Sequence, residues 1–130
     1  MTQKEKQLLL KDLCARLPYG VKGLSLGSRV DTISTFVPDA SPWVKTTTGL
    51  FCYLGSGQFK PYLRPMSSMT DEEEKIFNDY LDFQAEYASD ADLDNKTDMY
   101  DWLNAHYFDY RGLIEKGLAL KAPEGMYKED

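Results

Sequence analysis

Leucines at positions 9, 10, 13 and 17, with Cys14 among them, recur at spacings of three and four and mark one apolar stripe of a helix. Thr2 followed by Glu5 forms a capping box ahead of that stripe, in which each side chain accepts a backbone N–H left unpaired at a helix start. Pro18 cannot donate the next helical hydrogen bond and ends the element. The pattern predicts an N-terminal helix over residues 1–17 with one buried face.

Over residues 18–66 the texture changes to β-branched and aromatic residues broken by Gly and Pro, the mark of short strands joined by turns. Strands are predicted over 21–26, 29–37, 50–54 and 59–63, separated by Gly27-Ser28, by the 38–42 loop and by Gly55-Ser56-Gly57. Three to five such strands in chain order favour an antiparallel meander, which can curl into a small open barrel. Trp43 follows Pro42 in the long loop and is expected as a lid over one end of the core.

Thr70 and Glu73 repeat the capping box, and Asp71 and Glu72 lie where the positive end of a helix dipole favours carboxylates. Ile76, Phe77, Tyr80, Leu81, Phe83 and Tyr87 give this second helix a broad apolar face suited to covering the sheet. A polar loop over 89–96 follows, then a third helix over 98–107 with Met99, Trp102, Leu103 and His106 on its apolar side. Asp109 can cap one more short helix that ends at Gly117, and 118–122 reads as a last short strand. The expected fold class is α+β, with an N-terminal helix, a small antiparallel sheet and a mainly helical half over 67–130 packed on it, all in one domain spanning 1–130.

A chain of 130 residues suits a single core. With 42% apolar and 28% charged residues it is too apolar for general disorder. Its longest apolar runs, 8–10 and 50–54, fall far short of the roughly 20 residues of a membrane-spanning helix. The first residues lack the order of a secretory signal, so the expected setting is cytoplasmic. Cys14 and Cys52 both sit among apolar neighbours and read as reduced and buried.

Charge alters the picture more than composition does. The net charge of −6 divides into +5 over residues 1–66 and −11 over 67–130. Either the halves attract across the fold while the acidic half is solvated, or the surface is bipolar, one end suited to a basic partner and the other to an acidic one.

Three stretches, LCARLPYGVK over 13–22, KPYLRPMSSMT over 60–70 and DWLNAHYFDYRGLIEKGLALKAPEGMY over 101–127, together resemble a family of small uncharacterised proteins from gut Bacteroides and their phages or integrated elements. The resemblance covers a little under half of the chain, and the connection over 38–49 departs most from the family's pattern. It implies a bacterial or phage origin and a cytoplasmic setting, and it carries no catalytic role onto any residue.

Among candidate sites, Asp90, Asp92, Asp94, Asn95, Asp98 and Asp101 match positions 1, 3, 5, 6, 9 and 12 of a helix-flanked calcium loop, whose oxygen ligands wrap a hard cation. The pattern departs from that loop in having Asn95 for Gly, Thr97 for an aliphatic residue and Asp101 for the longer Glu. The alternative is a solvated acidic loop in which Thr97 or Asp98 caps the next helix. Lys60, Tyr62 and Arg64 alternate along a strand and share one face, a row of two cations and an aromatic that can hold phosphate and stack a base. Pro61 and Pro65 restrict that strand to an edge or an exit. His106 is the sole histidine and has no nucleophile partner nearby in sequence, so it reads as a partly buried helix residue. The chain lacks a phosphate-binding loop of the Lys-Ser/Thr type, and no cofactor is called for.

The leading function expected from these features is a non-enzymatic accessory or interaction protein of a phage or mobile element, acting through a protein partner. The alternatives are a nucleic-acid-associated module built on Lys60, Tyr62 and Arg64, and a protein with a degenerate calcium loop. An enzyme ranks behind these, because no catalytic constellation is visible.

Overall fold

In the computed structural model, which describes residues 2–27, 29–37, 42–86 and 92–127, both capping boxes form. The Glu5 N–H donates to Thr2 Oγ1 at 3.1 Å and the Thr2 N–H to Glu5 Oε1 at 2.9 Å, opening α1 (Gln3–Arg16). The Glu73 N–H donates to Thr70 Oγ1 at 3.2 Å and the Thr70 N–H to Glu73 Oε1 at 3.0 Å, opening α2 (Asp71–Glu86). Pro18 lies in a 3-10 turn, Leu17–Tyr19, that closes α1, and Gly20 leaves it at a left-handed φ of 72°.

Between the two helices lie β1 (Lys22–Ser25), β2 (Arg29–Val37), β3 (Trp43–Thr46), β4 (Phe51–Tyr53) and β5 (Phe59–Leu63), and after α3 (Asp92–Ala105) comes β6 (Leu120–Lys121). They form one open sheet in the order β4-β3-β2-β1-β5-β6, antiparallel throughout except for the β5–β6 pair. The fold is α+β.

Several expectations are corrected. Trp43 opens a strand instead of capping the core: it stands opposite Val37 and Tyr53, and its ring meets Phe51 edge-on at 5.0 Å. Its strand alternates half-buried Trp43, buried Val44, exposed Lys45 and buried Thr46, the period of two that a half-covered sheet imposes. β5 is interior, not an edge, because β6 pairs with it from Tyr62 onward, one residue past Pro61. Cys14 is exposed while Cys52 is buried, and both are free thiols. The buried face of α1 runs through Leu9, Asp12, Leu13 and Arg16, and Cys14 lies about 100° round the helix from Leu13. α3 starts at Asp92, so the polar loop expected over 89–96 is helical in its described part. The C-terminal stretch after α3 is built of turns: Asp109 accepts the N–H groups of Leu113 and Ile114 at 2.8 and 3.0 Å, but no helix follows.

The main core joins Leu9 and Leu13 of α1 to Val21, Ile33, Val44, Leu54, Phe59 and Leu63 of the sheet region, and Leu113 and Leu118 close it. α1 and the C-terminal turns thus cover the sheet, the position expected for α2. Gly23 is required by this packing, since a Cβ there would lie 2.2 Å from Phe59 Cζ. A second, smaller cluster holds Met99, Leu103 and Phe108, against which Phe77 and Tyr80 of α2 and Trp102 pack.

Two charged side chains lie inside the first layer. Asp12 and Arg16 are fully buried one helical turn apart; Arg16 Nε and Nη2 donate to Asp12 at 2.8 and 3.1 Å, and Nη2 also donates to the Phe108 carbonyl at 2.6 Å. Arg111 Nη1 donates to the same Asp12 carboxylate at 2.7 Å, tying the C-terminal turns to α1. The end of the described chain is pinned as well: the Tyr127 hydroxyl donates to the Tyr62 carbonyl at 2.7 Å and accepts the Lys22 N–H at 2.9 Å, with its ring stacked on Tyr107 at 3.6 Å.

Candidate interaction site

α2 has more apolar surface than α3 covers. Phe77 and Tyr80 turn inward, Tyr80 lying 6.1 Å from Trp102, but Ile76, Leu81 and Phe83 remain 42%, 41% and 43% exposed. Ile76, Asp79, Tyr80 and Phe83 line a groove of about 290 Å³. Their spacing of three, four and seven is that of one helix face, so the groove runs along α2.

Carboxylates frame it. Asp71, Glu72, Glu73 and Glu74 fill the first turn of α2, Asp79 lines the groove and Asp82 is exposed beyond it, against one cation, Lys75. Only Glu73 of these acids has an ion-pair partner among the described residues. Arg64 clamps it with two bonds of 2.8 and 2.6 Å and lies over the Phe108 ring at 4.2 Å. Chiefly because of that guanidinium, with the Thr70 N–H helping against partial burial, the Glu73 carboxyl is lowered from 4.5 to about 2.

Lys60, Tyr62 and Arg64 share one face as the alternation requires, but Arg64 is already engaged. Phe59, Pro61 and Leu63 bury their side chains as the alternation requires, leaving Lys60 and Tyr62 half-buried on the other face. Arg64 is committed to Glu73 and Phe108, and its backbone pairs with Tyr107 and Asp109. The Tyr62 carbonyl receives the Tyr127 hydroxyl. Lys60 is left to line a different groove, with Lys116 and the Gly55 to Gly57 turn.

Asp92, Asp94, Asp98 and Asp101 lie along α3, and Asp90, like Tyr87, lies outside the described residues. A helical backbone from Asp92 onward does not make the wrapped loop that the calcium reading needs. His106 sits just past α3 with its ring 4.8 Å from Trp102 and Nδ1 3.8 Å from Glu73, a carboxylate already held by Arg64. Burial pushes the Cys52 thiol up, away from the thiolate form, the Ser25 hydroxyl beside it opposing this in part, and partial desolvation against the helix surface raises the thiol of the exposed Cys14.

The chain matches no family model, no curated protein and no solved structure. Among the described residues no helix is long and apolar enough to cross a membrane.

Sequence reasoning placed Ile76, Tyr80 and Phe83 on an apolar face but expected the sheet to cover it. The signal that the face exceeds its partner was present in its width, since Ile76, Phe77, Tyr80, Leu81 and Phe83 span more of the helix circumference than one packed helix occludes.

Proposed function

We propose that this chain is a non-enzymatic interaction protein that binds a basic amphipathic helix of a protein partner along the exposed face of α2. The observation carrying this reading is the groove of Ile76, Tyr80 and Phe83 framed by carboxylates that lack ion-pair partners among the described residues. An apolar helical stripe flanked by Lys and Arg is complementary to it in both shape and sign. A second copy of the same face is a poor occupant, because two acidic rims would meet. The three resembling stretches imply a setting in which the partner belongs to a phage, an integrated element or their bacterial host.

The test titrates the protein with a labelled synthetic helix carrying a leucine stripe flanked by lysines, read by fluorescence anisotropy. Saturable binding is expected, weakening as salt rises, and lost in Ile76→Glu and in Asp79→Lys with Asp82→Lys. A peptide with the same stripe flanked by glutamates should fail to bind, and Val30→Glu on the sheet should leave binding unchanged. Equal binding of both peptides, or binding insensitive to the α2 substitutions, overturns the reading.

A further inference from the structure

Away from α2, lysines from three parts of the chain lie near one groove. A polar groove of about 370 Å³ is lined by the turn of Gly55, Ser56 and Gly57, by Lys60, by Lys116 and by Glu5. Lys6 borders it: a Cβ built on Gly55 would lie 3.2 Å from Lys6 Cε and 3.5 Å from its Nζ. Two lysines, Lys60 and Lys116, thus share the groove with one carboxylate, and Lys6 lies against its Gly55 wall. Glu5 is itself engaged, its Oε1 accepting the Thr2 N–H at 2.9 Å, and it lies below the usual carboxylate range chiefly through that bond, Lys116 adding a smaller pull. Among the described residues none of Lys6, Lys60 and Lys116 has a carboxylate within ion-pair distance.

Like charges brought together in the fold repel, and a bound anion relieves that repulsion. Gly57 on the turn and Gly117 on the opposite wall leave open space where a Cβ would stand, so a ligand can come close there; their N–H groups already donate to the Leu54 and Ile114 carbonyls, and the anion is left to the lysines. The groove volume falls in the range of small-ligand sites, larger than one phosphate needs.

We infer that the groove between the Gly55 to Gly57 turn and Lys116 binds the phosphate of a small phosphomonoester, with Lys6, Lys60 and Lys116 neutralising the dianion. The rest of the ligand lies in the remaining space along Lys60. This site is separate from the face of α2, and either assignment can fail without the other.

The test is an NMR titration of the full chain at constant ionic strength, following backbone amides with inorganic phosphate and, in a second arm, with ribose 5-phosphate. Saturable shifts are expected at Gly55, Gly57 and Gly117, larger in affinity for ribose 5-phosphate than for inorganic phosphate, with no effect of chloride. Lys60→Met and Lys116→Met should each weaken binding about tenfold; both positions are outside the core, and the amide spectrum of each variant checks its fold directly. The inference is overturned if these amides do not saturate, if shifts spread equally to Lys45, or if the Lys→Met variants bind as before. It is also overturned if a single-stranded oligonucleotide without terminal phosphate produces the same shifts at lower concentration, which would assign the groove to nucleic acid.

Discussion

Replacing Asp12 by Asn leaves the volume of the side chain but removes the anion that faces two guanidinium groups, those of Arg16 and Arg111. Arg16 is fully buried and Arg111 is 16% exposed, so after the substitution Arg16 keeps only neutral acceptors, the amide oxygen and the Phe108 carbonyl. Breaking a buried pair by removing one partner costs about 3–5 kcal/mol, because the remaining charge has lost water and gained no counter-ion. For a domain of this length that loss lowers the melting temperature by about 10–18 °C. The assay is urea unfolding followed by circular dichroism and by the fluorescence of Trp43 and Trp102, which sit on the sheet and on α3. The companion variant, Asp12→Leu with Arg16→Met, removes both buried charges and should recover to within about 1.5 kcal/mol of the parent. Arg111, at the margin of the cluster, can then turn to water. The reasoning fails if Asp12→Asn costs less than about 1 kcal/mol, or if the double variant is no more stable than the single one.

Gly23→Ala forces the Phe59 ring from its place, since the new methyl would lie 2.2 and 2.6 Å from two ring carbons and 2.7 Å from the Lys60 carbonyl. A loss of about 1–3 kcal/mol is expected in urea unfolding, partly recovered by adding Phe59→Leu. Glu73 has its folded pKa depressed to about 2, so its contribution is present above about pH 4.5 and is lost as pH falls toward 2. The stability difference between the parent and Glu73→Gln, measured by urea midpoint, should accordingly shrink over that interval; a constant difference would contradict the Arg64 clamp.

The parts of the fold that were legible in the sequence are those fixed by local chemistry. Thr2 with Glu5 and Thr70 with Glu73 set the helix starts, and the limits of β2 and β5 follow from residue texture and bordering turns. What was hidden depends on partners far along the chain. The burial of Asp12 and Arg16 has no local sign, because it is made tolerable by Arg111 and the Phe108 carbonyl, about a hundred residues away. The four residues of β3 are too few to show a period on their own, and Val37 and Tyr53 make them a strand. After α3, the cap at Asp109 signalled a helix start, yet positive φ at Gly112 and Gly117 bends the backbone into turns. Of the candidate sites, the apolar residues of α2 were visible but their exposure was not. The grouping of Lys6, Lys60 and Lys116 comes from three separate elements and has no sequence signature at all.

The late arrival of β6 has a consequence for biosynthesis. When β5 leaves the ribosome it can zip onto β1, but its other border stays bare until Leu120 and Lys121 emerge, after both long helices have been made. Throughout that interval the nascent chain presents a naked strand rim to its neighbours on the same messenger, the kind of border on which polypeptides stick together. Arrest of translation between α3 and β6 should therefore leave material that aggregates unless a chaperone shields it.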